Sequence, residues 1–445
     1  MAVKKSLALP GDQLRRAFGC PPAKPGAEGR VALLMSGVAL RVLTQPMCFQ
    51  PGAIAMKQLL AATVTIALLS GLSRATAGEP VFEDKPLLTS GKGGYHTYRI
   101  PAAVCTKKGT VLFFCEARKN SGSDFAQTHM LLLSSGDQGR TWSKPRVVWK
   151  DDSEPNITIG NPCPVLDVQT GAVWLGFTRN NQRAFVTHST DDGLTWAVPT
   201  EITESVKPKN WKRYWTGPGH GLQLAHGPKA GRIIFPSYHI VDEGDRRVMR
   251  SHSVYSDDHG RTWQIGRSTA IGPTIDPEGV HLSASWVPGP YDWEGCECLA
   301  VERPDGSLYL TVRNAAGYKG KKAFATSDDG GQSWNPMALQ AELPGRACQS
   351  SVIGLPGGDG KQLLLYSGII ASNRPGGRRD LTVFLSSDGG RSFPKSRLVH
   401  AGPSAYSDMT VLGDRSVLLF HEGGSTHRYG SIRVAHFNLD WLAAP

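Results

Sequence analysis

The chain has 445 residues and carries 49 Lys+Arg against 38 Asp+Glu, a formal net charge of +11. With 40% hydrophobic and 20% charged residues, it has the composition of a folded globular protein, which excludes a disordered one. Its 51 Gly and 30 Pro follow no period, which excludes a collagen-like chain and favours a turn-rich, all-β one.

The N-terminal part reads as a leader. Met56 and Lys57 precede an apolar run, Leu59 to Leu72, and Ala75-Thr76-Ala77 offers a small-x-small cleavage signal before Gly78. These are the features of a secretory signal peptide over 56–77. The run is too short for a permanent membrane span. A buried core helix is the bland alternative. Residues 1–55 hold Cys20, Cys48 and seven Lys or Arg. They read as a mis-assigned or disordered extension ahead of a true start at Met56, with a real targeting extension as the competing reading. The mature chain, 78–445, is then exported, secreted or periplasmic, after cleavage near Ala77. The leader also carries most of the charge. Residues 1–77 contain nine Lys or Arg and two Asp or Glu, leaving 40 basic and 36 acidic residues, a net +4. The basic excess is therefore no argument for a nucleic-acid partner, and no nucleic-acid-binding module is recognisable.

No run in 78–445 approaches a membrane span. Six cysteines remain there, too few for a disulfide framework. Cys296 and Cys298 are two apart, share a face in a strand, and read as buried hydrophobes. No Cys/His spacing matches a zinc site.

One motif recurs five times, as Ser-x-Asp-x-Gly-x-(Ser/Thr)-(Trp/Phe). It begins at Ser135, Ser189, Ser256, Ser327 and Ser386, and ends at Trp142, Trp196, Trp263, Trp334 and Phe393. An apolar strand precedes each copy, so the motif is a hairpin tip. The Asp accepts backbone N–H bonds and the Gly takes a positive φ. The aromatic restarts the next strand and packs between sheets. Five equivalent Asp residues argue for scaffold rather than catalysis. Their spacings of 54, 67, 71 and 59 residues average about 63, and 368 residues accommodate six such units. That predicts a six-bladed β-propeller of four-stranded blades.

With Tyr98-Arg99-Ile100-Pro101 ahead of the first repeat, residues 80–440 resemble the sialidases. That family includes bacterial exo-sialidases and the animal cytosolic and lysosomal enzymes. The resemblance implies retaining hydrolysis of terminal α-linked sialic acids from glycoproteins, gangliosides and oligosaccharides. The chemistry it implies needs no cofactor or metal, and a monomer is expected. Sialic acid carries a carboxylate on its anomeric carbon, and planar guanidinium groups suit that anion. The family's three arginines fall on Arg99, Arg313 and Arg378, with Arg379 the alternative to Arg378. Arg118 matches a further substrate-contacting arginine.

The family's nucleophile falls on Tyr406 and its base on Glu297. A neutral phenol escapes the repulsion that a carboxylate nucleophile would meet beside the substrate carboxylate. The competing structural roles are a core aromatic and a buried ion pair. The acid/base falls on Asp124, in the loop Ser121-Gly122-Ser123-Asp124, which by composition alone is a turn residue. Tyr238 matches a pocket tyrosine, and Asn161 lies where the family often touches the sugar. Packing roles compete at both. A trans-sialidase, a hydrolase of another nonulosonic acid and a non-catalytic glycan-binding propeller remain as alternatives.

Overall fold

The computed structural model describes residues 34–35, 38–39, 79–270, 274–275, 281–282, 295–314, 320–345, 347–357, 361–371 and 377–444. The chain divides into two compact units, Met1–Thr76 and Ala77–Pro445. The expected extension (1–55) and signal peptide (56–77) lie outside the described residues, apart from two short paired strands, β1 (Leu34–Met35) and β2 (Val38–Ala39).

The second unit is built of antiparallel sheets whose strands mostly follow chain order. After β3 (Phe82–Thr89), the first sheet runs β4 (Thr97–Cys105), β5 (Val111–Arg118), β6 (Thr128–Ser135), β7 (Arg146–Trp149). The second runs β8 (Ile159–Leu166), β9 (Val173–Arg179), β10 (Arg183–Ser189), β11 (Thr200–Glu201). The third has β12 (Trp211–Thr216), β13 (Leu222–Gln223), β14 (Ile233–Glu243), β15 (Arg246–Ser256) and β16 (Gln264–Ile265). A separate pair, β17 (Thr274–Ile275) and β18 (His281–Leu282), follows. The next sheet is β19 (Gly295–Glu302), β20 (Leu308–Asn314), β21 (Lys321–Ser327), β22 (Ala338–Pro344). The last described sheet runs β23 (Ser351–Pro356), β24 (Gln362–Ala371), β25 (Arg378–Ser386), β26 (Lys395–Val411), β27 (Val417–Gly423), β28 (Ser431–Phe437), and it ends on β3. The N-terminal strand β3 thus completes the C-terminal sheet. This is an all-β, propeller-like fold. Among the described residues the α-helices are two short ones, Thr203–Val206 and Leu439–Ala443.

Strand β5 (VLFFCEAR) is buried along its whole length, which explains why it reads as an apolar run rather than an alternating one. Both of its faces meet neighbouring sheets. The six cysteines of this unit are free thiols, and all but the half-buried Cys105 are buried.

The five repeats form one hydrogen-bonded turn. Asp137 accepts the Thr141 N–H at 2.9 Å and its hydroxyl at 2.6 Å, while Ser135 Oγ accepts the Gly139 N–H at 2.9 Å. Asp191, Asp258, Asp329 and Asp388 repeat this on Thr195, Thr262, Ser333 and Ser392. The glycine has a second duty beyond its positive φ. A Cβ on Gly193 would stand 2.7 Å from Leu112 of the preceding sheet, and one on Gly139 2.7 Å from Leu418 of the last sheet. Gly260 is packed directly on Trp174. The repeat aromatics follow the same rule: Trp142 packs edge-on to Phe420, Trp196 to Phe114 and Trp263 to Trp174. The motif is therefore both a turn and an inter-sheet contact.

This separates two glycines of similar backbone. Gly260 and Gly91 have φ of +82° and +79°, but only Gly260 has a neighbour in reach of a Cβ. Gly260→Ala is expected to cost about 2–5 kcal/mol, and Gly91→Ala about 1 kcal/mol. Calorimetric melting of both variants checks this; equal losses would remove the inter-sheet contact as a source of stability.

Candidate active site

Bulges near the start of β4, β8 and β19 and midway along β26 aim the site residues. The pairing register slips between Arg99 and Ala102 on β4, Gly160 and Cys163 on β8, Gly295 and Cys298 on β19, and Ser404 and Ser407 on β26. Arg99, Asn161, Glu297 and Tyr406 lie in or at the edge of these four bulges. A bulge leaves residues unpaired and turns side chains that regular pleating would place elsewhere.

Two bulges need support, because Ile100 and Asn161 have φ of +60° and +56°. That region is costly, above all for a β-branched residue such as Ile. A buried glutamate from the neighbouring sheet answers each. Glu422 on β27 accepts the Ile100 N–H at 2.9 Å, and Glu116 on β5 accepts the Asn161 N–H at 3.0 Å. The same glutamates hold arginines. Glu422 accepts from Arg99 Nε at 2.9 Å and Nη2 at 3.2 Å, and Glu116 accepts from Arg118 Nη2 at 2.7 Å. Glu422 also accepts the Tyr406 N–H at 3.2 Å.

These elements enclose a cavity of about 350 Å³, lined by Arg99, Asp124, Arg313, Ala347, Gly377, Arg378, Tyr406, Arg428 and Tyr429. Tyr406 Oη donates to Glu297 Oε1. Arg313 Nη1 reaches both oxygens of Glu297, at 2.8 and 2.6 Å, and Tyr406 Oη at 3.0 Å. Arg378 Nη2 donates to the Ala347 carbonyl at 2.6 Å and Nη1 to Tyr429 Oη at 3.2 Å. Adjacent strand residues face opposite ways. Arg379 accordingly leaves the cavity and pairs with Asp380 at 3.1 Å. Of the two alternatives, the cavity takes Arg378.

Asp124 sits on the loop after β5 and meets Arg118 at 2.8 Å and Arg99 at 3.2 Å. Its side chain is 68% exposed, so it remains open to a ligand. Its partial burial favours the neutral acid, but Arg118 and Arg99 outweigh that and hold the carboxyl below its usual range. Burial also opposes charge on Glu297; Arg313 and the Tyr406 hydrogen bond more than offset it and keep this carboxyl low. Burial and the Glu297 charge together push the Tyr406 phenol well up. The pair is thus a neutral phenol donating to a carboxylate.

Tyr238 and Asn161 do not line the cavity. Tyr238 is buried and stacked on Trp215, with centroids 4.7 Å apart. Asn161 is buried at its bulge, its carbonyl accepting from Thr216 Oγ1 at 2.6 Å. Sequence reasoning missed Glu422, Glu116, Arg428 and Tyr429. Tyr429 lies under the Arg99 guanidinium, 4.0 Å from ring centroid to Cζ. A signal existed for the glutamates: Glu116 in FFCEAR and Glu422 in LLFHEGG are carboxylates set in apolar strands, as is Glu297 in CECLA.

Among the described residues, one cluster has metal-ligating types, Asp84, His400 and His421. Arg433 Nε already lies 3.0 Å from both Asp84 oxygens. That carboxylate is held by an ion pair tying β3 to β28.

The BNR repeat-like domain model matches residues 109–419. A sialidase of Micromonospora viridifaciens is 30% identical over 421 residues, covering 87% of this chain and 60% of that protein. Human Sialidase-4 is 31% identical over 291 residues, covering 58% of this chain and 54% of that one. The chain belongs to the sialidase family of BNR-repeat proteins. Among solved structures, the Hadza microbial sialidase Hz136 superposes with a TM-score of 0.67 at 25% identity, over 81% of this chain and 69% of that one. An intramolecular trans-sialidase from Ruminococcus gnavus has a TM-score of 0.65 at 19% identity, over 81% of this chain and 98% of that one. That second likeness is one of fold alone. This sialidase-family chain spans about three fifths of the length of the first curated relatives it matches.

Glu422 is the most consequential residue that sequence reasoning missed. Glu422→Ala leaves Arg99 without its buried counter-charge, with only the exposed Asp124 beside it, and two bulge amides without an acceptor. The expected cost is about 3–5 kcal/mol in chemical denaturation. A loss below 1 kcal/mol would show that Arg99 and the bulges hold themselves.

Proposed function

We propose that the protein is an exo-α-sialidase that removes terminal α-linked sialic acids with retention of configuration, through a tyrosine nucleophile. One observation carries the reading. A neutral phenol, Tyr406, donates to a buried carboxylate, Glu297, and Arg313 bridges both within one cavity. Burying an ionised carboxylate against a phenol is costly for a protein that only binds glycans. It is what a nucleophile needs if its proton must leave as it attacks.

Arg99, Arg313 and Arg378 converge from different strands on the cavity, where they would receive the substrate carboxylate. That anion makes a second carboxylate a poor nucleophile at the adjacent carbon, and a phenol avoids the repulsion. Tyr406 Oη attacks the anomeric carbon while Glu297 takes its proton. Asp124 gives a proton to the leaving oxygen, and then draws one from water as water attacks the anomeric carbon; the bond to Tyr406 breaks and Glu297 returns the proton to its oxygen. Arg118 and Glu116 hold Asp124 in place. Sialylated glycoproteins, gangliosides and oligosaccharides are the proposed substrates.

The scaffold reading that accompanies this is six blades. β26 is 17 residues long and belongs by its two halves to two four-stranded blades, β23 to β26 and β26 to β28 with β3. The contact of Gly139 with Leu418, from first sheet to last, supports a closed ring. Export by the 56–77 leader, with Met56 as the start, is likewise proposed. Among the described residues no helix is long and apolar enough to cross a membrane.

Release of a chromophore from an α-sialoside tests the activity, with a sugar acceptor added to divert product if transfer competes with water. Tyr406→Phe should lower turnover by at least about 10³-fold while substrate still binds; undiminished turnover refutes the nucleophile. Arg378→Ala should weaken binding of a sialic-acid-like anion about 100-fold and Arg379→Ala by less than about threefold. Calorimetric titration separates them, and equal losses would return Arg379 to the site. Proton NMR should find the α-anomer released first; initial β-anomer excludes retention.

The pH profile has a signed expectation. Arg118 and Arg99 hold Asp124 ionised in the free protein, and an incoming carboxylate adds negative charge beside it, favouring its protonated form. As an acid, Asp124 loses activity as pH rises through its pKa. The basic limb of kcat, which reports the complex, should therefore lie at higher pH than that of kcat/KM, which reports the free protein. Coincident or reversed limbs would remove Asp124 as the acid.

A further inference from the structure

A carboxyl group protonates a glycosidic oxygen only from hydrogen-bond distance. The sugar beyond that oxygen therefore lies within a residue's reach of Asp124, and the next residue in the chain is Phe125. Phe125 is 54% exposed. Phe82 is the other aromatic among the exposed large hydrophobic residues described, and it stacks on Trp441 with centroids 4.4 Å apart.

The Phe125 ring is held, yet not covered. The Arg213 guanidinium lies 4.9 Å from its centroid. The Phe125 N–H donates to Ser123 Oγ at 3.2 Å, and Asn181 Nδ2 donates to the Asp124 carbonyl at 3.1 Å. Asn181 thus anchors the loop backbone, Ser123 closes its turn, and Arg213 holds the ring. A ring fixed by a cation and left open to water is a preformed surface for another flat or apolar face. The C–H face of a pyranose has that chemistry.

We infer that Phe125, backed by Arg213, is the platform for the leaving sugar and favours substrates whose sialic acid is attached to another sugar. The inference rests on the exo-sialidase reading above. A contact remote from the reacting carbon adds to the rate only when the substrate carries the group that makes it. A methyl aglycone leaves the platform unused.

The test is the ratio of kcat/KM for sialyllactose to kcat/KM for methyl α-sialoside. Phe125→Ala should lower this ratio about tenfold, and Phe125→Trp should restore it to within about threefold of wild type. Phe125→Leu serves as the second variant if the alanine form melts early by circular dichroism. An unchanged ratio overturns the inference. So does an equal loss on both substrates, because Phe125 then only positions the Asp124 loop. Wild-type protein that cleaves neither sialoside overturns the exo-sialidase reading itself, and the inference with it.

Discussion

The site depends on a single buried carboxylate. Glu422 is fully buried, and it accepts from Arg99, from the Ile100 N–H and from the Tyr406 N–H. It sets the aim of an arginine, compensates a strained bulge and fixes the backbone of the phenol. A carboxyl group so deeply buried is tolerable only when donors surround it. Those donors come from β4 and β26, far apart in the chain, so the carboxylate also joins the first sheet to the last.

The charges of the cavity follow one rule. Arg99, Arg313 and Arg378, which line the cavity, and Arg118 beside Asp124 are each matched behind or alongside. Glu422 backs Arg99, Glu116 backs Arg118, Glu297 pairs with Arg313, and Arg378 rests on a carbonyl and the Tyr429 hydroxyl. Matching lowers the cost of burial without covering the guanidinium edges that face the cavity. Between them stands a neutral phenol rather than a further carboxylate. The positive wall suits an anion, and the phenol can approach that anion without repulsion.

The scaffold gives each repeat a second duty beyond its turn. The turn itself needs only a Ser, an Asp, a Gly and a hydroxyl, and these were legible at once. The glycine's other duty was not. Leu112, Leu418 and Trp174 stand where its Cβ would be, and they belong to neighbouring sheets. A local motif carries no record of what another strand presses against it. Bulges were half legible: Pro101, Pro162 and Pro403 interrupt strand-like runs, and proline inside a sheet marks a bulge or an edge.

The sequence by itself determined the all-β class, the five turns and the residue types of the site. Repetition and short-range chemistry are written in neighbouring letters. It named Arg99, Asp124, Glu297, Arg313 and Tyr406 as candidates, and the fold brings those five together. It could not choose between Arg378 and Arg379, because facing is a property of the strand's register and not of either residue. It could not separate Tyr238 and Asn161 from the cavity, because burial depends on what covers them. It gave Glu116 and Glu422 no role, because their partners lie on other strands: Asn161, 45 residues after Glu116, and Arg99, 323 residues before Glu422. Only tertiary structure decides which donors a buried carboxylate meets. Here that meeting turns scattered arginines into one cavity.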